Sequence, residues 1–321
     1  MTKVNSNFKG IGYLLLAMLI NSLQSVAVKW IGGNYSVLEI VAVRSVVALP
    51  ITVLLFRLEG GRGWPATPQR KLQIVRGLFL FLSYTTYMMG LAALPLADIE
   101  AIRFSGPLMI TSLSVLMLGE KVEPRRWLAL LIGFSGVWLI VNPGSASFNE
   151  GSIFVLVSVV FYALNVILTR RLQKTDSSAT MAFYSTLIYL AGVLVVSPLT
   201  AAVGEVPGAH PSLAFLFHAW AAPAGLDLLI MAGLGLIWAG WMYFMTRAYS
   251  VGQASVVAPF EYASLPISVM WGFLIWQDIP TALTLTGAGL TLLSGLYILN
   301  RERTMTARIA PIKNEQVEIE A

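Results

Sequence analysis

The chain has 321 residues, 57% of them apolar and only 12% charged, with a formal charge of +5 and a mean hydropathy of +0.75. A soluble domain carries about 25% charged residues, so this composition excludes a water-soluble particle and makes the membrane the solvent along the whole chain. No cysteine is present, which removes disulfides, thiolate nucleophiles and cysteine-bound metals, and no cofactor is called for.

Taken in chain order, Lys3 and Lys9 precede an apolar run from Ile11 to about Trp30. That run is too long for a signal-peptide core, so it is read as an uncleaved first span. Nine more runs follow, and the ten spans fall near 11–31, 36–56, 72–92, 96–118, 127–141, 152–169, 180–202, 226–246, 254–276 and 281–299. Helix is the state that satisfies their backbone in lipid. The expected fold is therefore an all-α membrane protein with ten transmembrane helices. Pro211 to Ala222 is apolar but too short to span, and is expected along the outer interface between helices seven and eight.

Basic residues set the orientation. Lys3 and Lys9, four loop clusters (Arg57, Arg62, Arg70, Lys71; Lys121, Arg125, Arg126; Arg170, Arg171, Lys174; Arg247) and Arg301, Arg303, Arg308 and Lys313 all fall on one side. They account for 17 of the 21 Lys and Arg; the others, Lys29, Arg44, Arg76 and Arg103, lie within or at the ends of spans. By the positive-inside rule that side is the cytoplasm, and both termini face it. The positive charge thus reports topology rather than nucleic-acid binding. Expected divisions are a cytoplasmic N-terminus (1–10), a first five-helix repeat (11–143), a second (151–299) and a disordered cytoplasmic tail (300–321).

The repeat shows in helices four and five against nine and ten. Phe104-Ser-Gly-Pro107 and Gly119-Glu120 align with Tyr262-Ala-Ser-Leu-Pro266 and Gln277-Asp278 at an offset of 158, with the prolines one position out of register. Halves of five helices each must insert in opposite orientations, an arrangement frequent in secondary transporters with a midplane site between the halves.

Ala93-Leu-Pro-Leu-Ala-Asp98, Phe104-Ser-Gly-Pro107, Leu118-Gly-Glu-Lys121, Arg125-Arg-Trp127, Gly133-Phe-Ser-Gly136, Val141-Asn-Pro-Gly144 and Ala258-Pro-Phe-Glu-Tyr262 together resemble the EamA family of the drug/metabolite transporter superfamily. The resemblance implies a ten-helix metabolite carrier of the inner membrane. It is most similar to the branch with riboflavin importers, S-adenosylmethionine carriers and related eukaryotic solute carriers. Arg103 departs from the uncharged residue that relatives often carry before the helix-four Phe, so no substrate is transferred from the family.

Charges inside spans point to mechanism, because each costs several kcal/mol unless paired or hydrated. Glu100 and Arg103 share a face of helix four, Arg44 lies in helix two, and Glu261 in helix nine. At the 158 offset Arg103 aligns with Glu261, and each sits about 12 Å into a 30 Å core. Either they meet as the electrostatic centre of a substrate site, or Glu100 and Arg103 form a structural salt bridge. Lys29, Glu39 and Arg76 are expected to snorkel to water. Asn21, Gln24 and Asn165 offer hydrogen bonds to a substrate or between helices. Tyr84, Tyr87, Trp238, Trp241 and Tyr262 could stack on a planar ligand or simply pack. Pro107, Pro259 and Pro266 interrupt helices four and nine as candidate hinges. Gly133, Gly136, Gly287 and Gly289 permit close helix packing or a homodimer face.

These features favour a secondary carrier for a small polar organic molecule, a zwitterion or organic anion, with membrane lipid as its surroundings. Candidate cargoes are a flavin, S-adenosylmethionine, an amino-acid derivative or a carboxylate. There is no Walker-type loop to couple ATP. An intramembrane lipid-processing enzyme would need clustered acid, base or metal ligands, and the two histidines, His210 and His218, share one loop without a carboxylate cluster. A channel is the other rival.

Overall fold

A computed structural model describes residues 3–118, 124–144, 148–172, 175–251, 258–298 and 300. The Glu120 segment and the tail beyond Asn300 lie outside the described residues. Regular structure among those described is helical throughout: α1 (Lys3–Ile31), α2 (Val37–Leu58), α3 (Arg70–Leu91), α4 (Leu96–Arg103), α5 (Gly106–Leu118), α6 (Pro124–Val141), α7 (Gly151–Leu172), α8 (Ser178–Val203), α9 (Pro211–Phe217) and α10 (Gly225–Val251). A 3-10 turn (Ala258–Ala263), α11 (Ser264–Trp271), a π turn (Gly272–Trp276) and α12 (Ala282–Ile298) complete it. Six spans, one of them α4 and α5 taken together, are long and apolar enough to cross a membrane, and Trp127–Val141, Gly225–Trp241 and Ala282–Ile298 are shorter apolar helices.

These helices are apolar on every side, as expected where one face meets lipid and the other meets protein. Leu194, Leu226 and Leu229 are each at least 70% exposed, whereas Leu38, Ile99 and Leu108 are fully buried. Hydroxyls within the helices return to their own backbone: Thr86 donates to the Leu82 carbonyl, Thr186 to Ala182 and Thr291 to Gly287. That disposes of polar groups where water is absent.

The packing pattern survives exchange of the two halves. The first span lies along the eighth (α1 on α10) as the third lies along the sixth (α3 on α7). The second span touches the eighth (α2 on α10) as the third touches the seventh (α3 on α8), and α2 on α8 and α4 on α11 each join a span to its counterpart.

α6 and α12 cross where small residues let backbones meet. A Cβ on Gly136 would overlap the Gly287 carbonyl, and one on Gly287 would overlap that of Gly136. Thr291 donates to the Gly133 carbonyl across the crossing, and Ser294 to that of Ala129. Gly133, Gly136 and Gly287 therefore serve packing within the chain, while Gly289 faces open space.

α9 is the short apolar stretch expected at the interface. His210 caps it, and Phe215 is buried against Gly32 at the end of α1.

Candidate functional site at two broken helices

The fourth and ninth spans are interrupted at related places, and proline chemistry explains both. Pro107 has no N–H to give the Arg103 carbonyl, so α4 stops at Arg103 and α5 starts at Gly106. Pro266 likewise cannot bond the Tyr262 carbonyl, and the ninth span passes from a 3-10 turn into α11 at Ala263–Ser264. Proline-containing breaks therefore stand beside both candidate charges. Pro259 lies in the 3-10 turn.

The breaks face each other. Phe104 and Tyr262 meet edge to face with ring centroids 4.8 Å apart. The Tyr262 hydroxyl sits where a Cβ on Gly295 of α12 would be, so only glycine fits there.

Arg103 donates to Glu100 at 2.7 Å, and its guanidinium covers the Tyr87 ring at 4.9 Å. Glu100 is 8% exposed and Arg103 36%, so the acid is enclosed while the cation reaches open space. Tyr87 hydrogen-bonds Ser25 of α1 at 2.8 Å. Glu261 lies on the 3-10 turn, and Tyr162 of α7 stands within electrostatic reach of both Glu261 and Arg103. The four groups thus border one region, with Arg103 held first by Glu100.

Arg44 is 1% exposed and enters a box formed by Tyr84 of α3, Tyr189 of α8 and Trp238 of α10, its guanidinium carbon 3.9, 5.0 and 5.1 Å from their ring centres. The Trp241 and Trp238 rings pack at a 36° tilt with centroids 5.4 Å apart. Tyr84 and Tyr87 are three apart on the third span, as are Trp238 and Trp241 on the eighth, so each pair shares a helix face.

Of the neutral candidates, Gln24 is buried and Asn21 half-buried on α1; Asn165 is buried one turn from Thr169 on α7, its side-chain carbonyl unpaired. One turn along α7 from Asn165 toward its C-terminal end, Arg76, 5% exposed, donates to Thr169, Gln73, Ser185 and the Met181 carbonyl, and Gln73 donates to Asp176 at 2.7 Å. Arg76 links α3, α7 and α8 through four hydrogen bonds and does not snorkel. Glu39 is also buried and accepts from the Ala221 N–H.

Lys29 does not reach for water either. It donates to Asp278 at 3.3 Å and to the Leu94 carbonyl at 3.1 Å, lying over the Trp276 ring. Ser22, Ser25 and Lys29 form one stripe on α1, and Ser22 accepts from the Trp271 indole at 3.0 Å. The 22/25/29 spacing was available in the sequence, whereas the pairing of Lys29 with Asp278 was not. Near the same end Asp98 of α4 accepts from Thr284 of α12 at 2.6 Å. First-half and second-half spans are therefore tied together there by an ion pair and a hydrogen bond.

The EamA-like transporter family model matches residues 8–142 and again 149–300. The chain belongs to the EamA-like transporter family. It is a multi-pass membrane protein and a transporter of small metabolites rather than an enzyme.

Similar members include an S-adenosylmethionine uptake transporter of Rickettsia felis, 27% identical over 93% of this chain and 95% of its own. A riboflavin transporter of Vibrio cholerae is 28% identical over 81% and 83%, and a pseudopaline exporter of Pseudomonas aeruginosa 26% identical over 92% and 96%. A crystal structure at 16% identity superposes over 93% of this EamA chain and 98% of its own with a TM-score of 0.61, which shows a shared fold.

Proposed function

We propose that this EamA protein is a secondary carrier that moves a small zwitterion or organic anion across the inner membrane by alternating access. The contact between two broken helices at Phe104 and Tyr262, with Arg103, Glu100 and Glu261 beside it, carries the reading. Helices broken at mid-span leave backbone groups available to a ligand and give each half a place to bend. Pro107, Pro259 and Pro266 act as the hinges. A site bearing both signs of charge suits a cargo bearing both, and the ring faces of Tyr87, Trp241 and Tyr262 suit a planar part of it. Asn21 and Gln24 of α1 add polar contacts, and Asn165 does so from α7.

The full architecture in this reading is ten spans in two inverted repeats, 11–143 and 151–299, with both termini cytoplasmic and the chain bathed in membrane lipid. Packing that survives exchange of the halves supports it, and so does the family model's double match. The Lys29–Asp278 pair then closes the outer face, and the cargo leaves toward the other side while it holds. The relatives' names include both uptake and export, so direction follows from the gradient of the cargo. S-adenosylmethionine and riboflavin are the first cargoes to try.

The test is mass-spectrometric profiling of compounds inside and outside cells expressing the wild type, Arg103→Ala, Glu261→Gln or no carrier, at matched membrane levels. The expected result is one compound redistributed by the wild type and by neither variant. Equal redistribution by all three expressing strains would leave a carrier with its site elsewhere. No redistribution, with flavin and S-adenosylmethionine both supplied, would count against transport of either.

A further inference from the structure

Four basic residues lie within or at the ends of the spans, and three have their charge or donors satisfied. Lys29 is paired with Asp278, Arg103 with Glu100, and Arg76 donates to four acceptors. Arg44 differs. No ion pair with it forms among the described residues, although it is only 1% exposed. Three aromatic rings surround it, each contributing about 0.5–2 kcal/mol of cation–π attraction. Rings carry no net charge, so they soften the cost of a buried guanidinium without neutralising it. Its Nη1 and the Tyr84 hydroxyl make no well-formed hydrogen bond, the hydroxyls of Tyr84 and Tyr189 being the neutral groups that stand beside the guanidinium. The Trp241 indole N–H, on the ring packed against Trp238, is also unpaired.

The box therefore offers donors and one positive charge, and lacks the anion that would complete it. A carboxylate fits on three counts. It is planar and can lie between ring faces, its two oxygens match the guanidinium fork, and its single negative charge equals the charge present. A phosphate monoester, at about −1.5 to −2 near neutral pH, would leave negative charge uncompensated.

We propose that Arg44, with Tyr84, Tyr189 and Trp238, is the subsite that takes a carboxylate of the transported molecule. This rests on the carrier reading above and narrows it to cargoes with a free acid. It also divides the labour: Arg44 binds the anion, while Arg103 balances Glu100.

The experiment loads proteoliposomes with a carbon-13-labelled bacterial metabolite extract, either untreated or with its carboxylates capped as methylamides. Compounds released through the wild type, Arg44→Gln, Arg44→Lys and Tyr84→Phe are identified by mass spectrometry. The expected result is that every compound released by the wild type carries a carboxylate, and that capping stops its release. Arg44→Gln should slow release at least ten-fold, Arg44→Lys should keep part of it, and Tyr84→Phe should fall between them. Release of a compound without an acid, or of a capped compound at the uncapped rate, overturns the subsite and leaves the carrier standing. No release by the wild type from either extract overturns both readings. Should Arg44→Gln fail to give a monodisperse protein, the capped and uncapped extracts on the wild type decide alone.

Discussion

Phe104 and Tyr262 pack edge to face at 4.8 Å, and they are also the two residues that align when the second half of the chain is laid on the first at an offset of 158. Residues related by a two-fold operation touch each other only near its axis. In the proposed inverted-repeat arrangement the contact puts that axis at the helix breaks, beside the Arg103 and Glu261 positions. A symmetric centre of this kind is where two halves can exchange roles with least displacement.

Gly295→Ala should injure this centre in a way that can be repaired. The new methyl overlaps the Tyr262 hydroxyl, and overpacking of that kind costs about 1–3 kcal/mol. Thermal unfolding in detergent should move down for Gly295→Ala and recover most of the loss in Gly295→Ala with Tyr262→Phe, which removes the hydroxyl. Equal midpoints for the single and double variants would mean that the two groups do not meet.

Arg76 should separate structural charge from functional charge. Arg76→Met removes four donated hydrogen bonds and leaves Gln73 and Ser185 without that partner. The expected loss is roughly 3 kcal/mol or more of stability, as for a broken buried network. Transport per folded molecule should stay within about two-fold of wild type, whereas Arg103→Ala should lower it by ten-fold or more. Quantified folded protein and initial rates on the same samples give both numbers.

Lys29 and Asp278 should be separable only when the carrier turns over. The chain contains no cysteine, so Lys29→Cys with Asp278→Cys introduces the only thiols. A short cleavable bifunctional thiol reagent should cut transport at least ten-fold, and reduction should restore it. Undiminished transport after complete cross-linking would show that this end never opens.

Breaking the pair without replacing it should have a milder effect. Lys29→Ala removes one ion pair at a partly exposed site, worth about 1 kcal/mol or less, and also a hydrogen bond to the Leu94 carbonyl. A loss of this size shifts a two-state equilibrium by up to about five-fold. Accessibility of a single Cys placed at Leu94, beside the pair and 5% exposed, should rise by a comparable factor in labelling-rate measurements.

Most of the architecture could be read from the sequence because lipid imposes a harsh filter: an apolar run long enough to span must be a helix. The helix breaks could be read from Pro107 and Pro266, each lacking an N–H, although Pro50 and Pro198 sit inside the unbroken α2 and α8. Side-chain partnerships were less accessible. Lys29 and Arg76 lie near helix ends, where solvent is the default expectation, and only the tertiary arrangement brings Asp278 to one and Thr169 with Ser185 to the other. Arg103 and Glu261 align in the repeat, yet Arg103 is claimed by Glu100 three residues away, because a partner on the same helix face forms without closing any loop. Nothing in the spacing of Arg44 foretold a ring of three aromatic residues drawn from three other helices.

The crossing of α6 and α12 has a mechanical meaning. Two helices on which each glycine's carbonyl, of Gly136 and of Gly287, fills the place of the other's Cβ have almost no freedom to slide, since an axial shift drives a side chain into backbone. For a carrier that rocks, that point is an axle: displacement grows with distance from it, and the moving parts are those that bear no such lock. A bulky residue at Gly136 should therefore prevent assembly of the shaft itself, whereas the broken helices supply the bend.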